Sequence, residues 1–136
     1  MKRGFAIVAF AGVLFSGTVP FAAELFPTPI WMSVYGSASF RGAALDKGDE
    51  VRVSTPEGVL VGKFVVERAG AREYGLLPIY GDDPYSKEKD GAGAGDVLRV
   101  VLYRASDGKE YPALFSSVDP LAFKAGMDGS RVDLMF

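Results

Sequence analysis

EYGLLPIYGDDPYSKEKDGAGAGDVLRVVLYR, residues 73–104, sets two strand-like runs on either side of an acidic, glycine-rich loop. In the second run, VLRVVLY over 97–103, apolar residues follow one another almost without interruption, the pattern of a strand buried on both faces and therefore central in its sheet. The first run, 74–80, carries Leu76, Leu77 and Ile79, but Pro78 offers no N–H to a ladder, which assigns this strand to an edge or places the proline near its end. Between them, 81–96 concentrates five acids with four glycines.

Upstream, WMSVYGSASFR over 31–41 puts Met32, Val34, Gly36, Ala38 and Phe40 on one face and serines with Tyr35 on the other, the period of two of a half-buried strand. A short alternating strand at 51–54 runs into Thr55-Pro56-Glu57-Gly58, where proline presets φ and glycine accepts a positive φ, so the run 59–67 returns as a hairpin. Its alternation slips near Gly62, the mark of a bulge. Downstream, Asp107-Gly108 has the chemistry of a two-residue turn joining the central strand to a partner at 110–115. Pro120 and Gly126 bracket one short helical turn within 118–127. The run 131–136 closes the chain with Val132, Leu134 and Phe136 on one face. About seven short strands at even spacing predict an all-β, antiparallel two-sheet sandwich, immunoglobulin-like or prealbumin-like.

Composition agrees with one domain: 136 residues, 49% apolar against 24% charged, with glycines and prolines scattered between short apolar runs. Residues 1–23 read as a signal peptide, with basic Lys2 and Arg3, an apolar run from Gly4 to Phe15, and small residues ahead of Glu24. Cleavage after Ala23 leaves bulky Phe21 where a small residue is usual, so the alternative is an uncleaved anchor, the one route to a membrane. The mature domain, 24–136, is expected to be secreted or periplasmic. Without cysteine it has no disulfides and no lipid attachment of the bacterial lipoprotein kind, so its core alone must hold it. Removing Lys2 and Arg3 with the signal leaves 13 basic against 17 acidic groups, a net charge of −4 that disfavours nucleic acid as a partner.

The run VYGSASFRGAALDKGDEVRVSTPEGVLVGKF followed by EYGLLPIYGDD, within residues 34–83, resembles the opening of secreted prealbumin-like or carboxypeptidase-regulatory-like modules. The carriers are a strand ending in glycine, an x-V-x-V strand, a glycine turn and a Tyr-Gly strand. The resemblance implies an immunoglobulin-like sandwich acting as an accessory, adhesion or sugar-contacting unit without catalysis. The chain departs from that pattern in the loop after Tyr80 and in its closing segment.

The chemistry available is narrow. Lacking histidine and cysteine, the chain has no imidazole base, Ser-His pair, thiolate nucleophile or usual zinc ligand. A carboxylate pair or a Ser-Lys dyad survives, which keeps a small carbohydrate-active hydrolase using loop carboxylates as the alternative to a non-catalytic module. Adjacent Asp82 and Asp83 point apart on an extended backbone and form no shared-proton pair by adjacency alone. Asp82, Asp83, Asp90 and Asp96 are the candidate ligands for Ca²⁺, which takes about six to eight oxygens, although their spacing matches no EF-hand or nonapeptide pattern. The competing reading is a solvated connection whose Asp and Gly residues serve turns. No other cofactor is expected. Trp31, Tyr35, Tyr80 and Tyr85 are the candidate sugar-stacking or surface-contact residues, provided that they share an edge. The expected partners are a cell-surface or extracellular protein or glycan, and a second copy paired through the C-terminal strand at a sheet edge.

Overall fold

The computed structural model describes residues 24–114, 121–127 and 129–136. The signal-like segment 1–23 and the start of the expected helical turn, 118–120, lie outside the described residues. The remainder of that turn, 121–127, is an isolated bridge followed by a tight turn, and no helix occurs among the described residues.

Two sheets pack face to face. The first is built on β1 (Trp31–Ser39), paired antiparallel with β4 (Glu73–Tyr80) on one side and parallel with the two-residue strands β7 (Ser130–Arg131) and β8 (Leu134–Met135) on the other. The second runs β3 (Leu60–Val65), β2 (Glu50–Ser54), β5 (Arg99–Arg104), β6 (Lys109–Pro112), all antiparallel. Alternation drives the burial: Met32, Val34 and Ala38 from β1, Leu77 and Ile79 from β4, Val51 and Val53 from β2, and Val100 and Leu102 from β5 form one core. The apolar run of β5 is inner, between β2 and β6, and Val101 on its other face is also buried, as near-continuous apolarity predicts. Pro78 sits in β4, the edge strand of its sheet. The slip near Gly62 is a bulge, with Val53 opposite Gly62 and Ser54 opposite Leu60, leaving Val61 extra.

Two features differ from expectation. The Asp107-Gly108 connection is a four-residue turn, 105–108, because Arg104 pairs with Lys109 and the Gly108 N–H donates to the Arg104 carbonyl at 2.7 Å. Asp107 serves the turn through its side chain, accepting the Lys109 N–H at 2.9 Å and the Tyr111 hydroxyl at 2.6 Å. The closing run is two short strands, and it lies parallel to β1, so the sandwich is not antiparallel throughout. The ladder breaks at Gly36, where the Val132 carbonyl accepts the Tyr74 hydroxyl and the Asp133 carboxylate accepts the Ser37 N–H at 3.0 Å. Burial pushes the Tyr74 phenol well above its ordinary range, so it remains a donor. Leu114 bridges to Met135, with a 2.6 Å bond from its N–H, and links the β6 side of the second sheet to β8 of the first. The C-terminal strand is therefore paired on both sides at this point.

Asp49 is a buried carboxylate that the sequence reading passed over. It accepts the N–H groups of Asp46 and Ala105, each at 3.0 Å, and so fastens the 42–49 connection to the end of β5.

Candidate functional site

The start of β1, the end of β4 and the acidic loop meet at one end of the sandwich. Trp31 stands directly opposite Tyr80 in the ladder, and opposed residues of an antiparallel pair share a face. Tyr35, four residues along β1, lies on that same outer face. Opposite Tyr35 the β4 strand bulges, placing both Gly75 and Leu76 against one residue of β1. The result is an apolar outer face on which Trp31 is 49%, Tyr35 38% and Leu76 66% exposed, with Tyr80 half-buried. Next to Trp31 the 124–127 turn lies along the other side of β1, held by the Gly126 N–H to the Trp31 carbonyl at 3.1 Å and the Ser33 N–H to the Met127 carbonyl at 3.0 Å. Trp31, Met32, Ser33, Gly126 and Met127 line an open groove of about 230 Å³ there. Arg131 places its guanidinium 5.9 Å from the Tyr35 ring, a cationic border to the aromatic face.

Of the four aromatic residues singled out in the sequence, Trp31, Tyr35 and Tyr80 share this face. Tyr85 stands apart in the acidic loop at 93% exposure. Gly126 and Met127 were missed. Nothing in their own residue types marks them, since their place beside Trp31 comes from parallel docking of the C-terminal run.

The loop closes on itself. The Asp82 N–H donates to the Ala92 carbonyl and the Ala92 N–H to the Tyr80 carbonyl, both at 2.9 Å, making a parallel bridge at its base. A Cβ on Gly91 would lie 2.2 Å from the Gly81 carbonyl oxygen, so only glycine permits this approach. The entry segment secures the base: the Gly81 N–H donates to the Ile30 carbonyl at 2.6 Å, and the Thr28 hydroxyl lies 2.7 Å from the Gly81 carbonyl.

Inside the loop, carboxylates take up backbone donors. Asp82 accepts the Asp90 N–H, Asp90 accepts the Asp83 N–H, each at 3.0 Å, and Asp83 accepts the Tyr85 N–H at 2.9 Å. Asp96 accepts the Gly93 N–H and the Lys89 ammonium, both at 2.8 Å, while Lys89 also reaches Glu57 of the β2–β3 turn at 3.0 Å. Thus the four proposed calcium ligands fall into two groups, Asp82, Asp83 and Asp90 knitted to one another's backbone, and Asp96 held by Lys89. Among the described residues, no three acids are disposed to hold a metal ion. Asp82, Asp83, Asp90 and Asp96 each accept a backbone N–H of the loop itself.

These contacts set the charge states. The Asp83 N–H, with Ser86 and Asp82, holds Asp90 below the ordinary carboxylate range. Lys89 and the Gly93 N–H do the same for Asp96, and Asp96 with Glu57 raises Lys89. Depressed carboxylates contribute stability that is present above their unfolded pKa, about 4, and is lost as pH falls through the lower folded values. Hydrogen-exchange protection of the Asp83 and Gly93 amides, which donate to Asp90 and Asp96, is therefore expected to fall on acidification below that range while the β2 and β5 amides keep theirs. Equal protection of the loop on both sides of the range would contradict this arrangement.

No family model matches the chain, and neither the curated proteins nor the solved structures provide a match.

Proposed function

We propose that this chain is an exported, non-catalytic β-sandwich module that binds carbohydrate on the outer face of its first sheet, at Trp31, Tyr35 and Tyr80. The single observation that carries the reading is the juxtaposition of half-exposed Trp31 with Tyr80 across the ladder, beside an open groove. Indole and phenol rings held rigidly by strands offer flat apolar surfaces for sugar C–H faces, at small entropic cost because the strands are already ordered. The module acts outside the cytoplasm, in line with the signal-like segment and with the accessory role that the prealbumin-like resemblance implies. A cell-surface or extracellular glycan is its partner.

The hydrolase alternative needs a general acid with a raised pKa beside a second carboxylate. Asp90 and Asp96 are shifted the other way, and Asp82 and Asp83 are occupied by backbone donors. This supports binding without turnover.

Glycan-array profiling tests the proposal. The full chain is expected to retain a defined set of glycans, and Trp31→Ala to lose them by roughly tenfold or more, as removal of a stacking platform of ~1.5–3 kcal/mol implies. Equal retention by Trp31→Ala would refute it, and release of reducing sugar, abolished by Asp82→Asn, would establish the hydrolase instead.

A further inference from the structure

At the opposite end of β1 the chain turns through Phe40-Arg41-Gly42-Ala43, with Phe40 and Ala43 exchanging both backbone hydrogen bonds at 2.9 Å. Arg41 has φ +51° and Gly42 +82°, the signature of a two-residue turn with positive φ at both central positions. Asparagine, aspartate or glycine is favoured at the first of these. Arg41 is the one non-glycine residue at positive φ among the described residues. The turn does not need an arginine side chain, because its bonds are made by backbone, including the Arg41 N–H to the Phe136 main-chain oxygen at 2.8 Å. A residue that departs from local backbone preference points to a use for its side chain.

That side chain is exposed and lies 4.8 Å from the Phe40 ring centroid and 5.7 Å from that of Tyr111, with no salt bridge to an Asp or Glu among the described residues. A second guanidinium, Arg104, lies 4.3 Å from the same Phe40 ring. Arg104 is loosely compensated: Asp46 is 3.4 Å and Asp107 3.8 Å from its terminal nitrogens, and its Nε is buried with no acceptor. Asp107 already accepts the Tyr111 hydroxyl and the Lys109 N–H. Lys109, exposed on the same turn, adds a further cation beside Asp107. The rim therefore presents a planar, aromatic-backed guanidinium at Arg41 and, on the same Phe40 ring, a second at Arg104 that lacks full pairing.

We propose that Arg41 forms an oxyanion-binding site, taking a carboxylate or sulfate group in the plane of its fork. Guanidinium suits such groups because its parallel N–H donors match two oxygens, and stacking on Phe40 and Tyr111 orients the fork before the ligand arrives. The site is separate from the Trp31 face, being at the far end of β1, and stands whether or not that face binds sugar.

Binding of the full chain to inorganic sulfate, to polygalacturonate and to neutral dextran tests this. Sulfate binding without added affinity for the polymer assigns the site to a free anion, and tighter binding of the polymer assigns it to an acidic chain. In either case Arg41→Asn is expected to weaken binding by about tenfold or more, with Tm unchanged or raised, because asparagine fits the turn. Arg41→Lys, which keeps charge without the fork, is expected to lose less. Trp31→Ala is expected to bind inorganic sulfate, which offers no sugar face, as wild type does, so failure of the aromatic face and failure of this site are read separately. Absence of binding to both anionic probes, or undiminished binding by folded Arg41→Asn, would overturn the proposal.

Discussion

Gly36→Ala is expected to lower the stability of the domain by about 2–5 kcal/mol and to release the C-terminal strands from β1. A Cβ at this position would lie 2.4 Å from the Val132 carbonyl oxygen, 2.8 Å from its carbon and 2.9 Å from an Asp133 carboxylate oxygen. The first two are backbone atoms and cannot swing aside as a flexible side chain does. Moving them breaks the bond from the Tyr74 hydroxyl to Val132 and the bond from the Ser37 N–H to Asp133, which span the gap between β7 and β8. The residue also has φ +155°, where an L side chain adds strain. Overpacking costs ~1–3 kcal/mol and an unfavourable backbone region a similar amount. Chemical denaturation measures the loss, and the amides of Val132 and Phe136 should lose exchange protection first. A variant as stable as the parent would mean that the C-terminal run is not docked on β1.

Leu102→Ala is expected to cost about 2–5 kcal/mol, the range for removing a fully buried leucine from a packed core. Leu102 is 0% exposed, on the inner strand β5, and paired between Val51 of β2 and Tyr111 of β6. Val51 belongs to β2, itself held between β3 and β5, and has little freedom to collapse into the space, which favours the upper part of that range. Val65→Ala, at a position 41% exposed on edge strand β3, is the control and should cost far less. Comparable losses at the two positions would contradict the assignment of β5 to the centre of the second sheet.

Much of this architecture was legible from local pattern. The alternation of 31–39, the continuous apolar run before Tyr103, the Thr55-Pro56-Glu57-Gly58 turn and the slip at Gly62 each reflect a rule that acts within a few residues. Each reappears at its place in the sheets. The direction of the closing strands was not legible. Pairing of β8 with β1 joins residues far apart in sequence, and an alternation such as that of Val132, Leu134 and Phe136 reads the same for parallel and antiparallel neighbours. The Asp-Gly turn was misjudged in length because Asp107 bonds to Lys109 and Tyr111, a side-chain commitment that residue type alone does not specify.

The candidate site divides similarly. Trp31 and Tyr35 could be placed on one face by period, but the partnership of Trp31 with Tyr80 depends on strand register, and the groove depends on Gly126 and Met127 arriving from the other side. The carboxylates of the loop looked like ion ligands in composition. Their hydrogen bonds to the loop's own N–H groups arise from a fold-back made close by Gly81 and Gly91, which sequence spacing does not reveal.

The most direct test uses the sole tryptophan of the chain, Trp31, as its own reporter. Its fluorescence should shift to the blue and saturate as a soluble glycan selected on the array is titrated, since a stacked sugar removes water from a half-exposed indole. Tyr80→Ala should weaken the response and the glycan should be recovered intact. An emission spectrum unchanged at saturating glycan, or recovery of the glycan as cleaved product, would contradict a non-catalytic carbohydrate-binding face at Trp31.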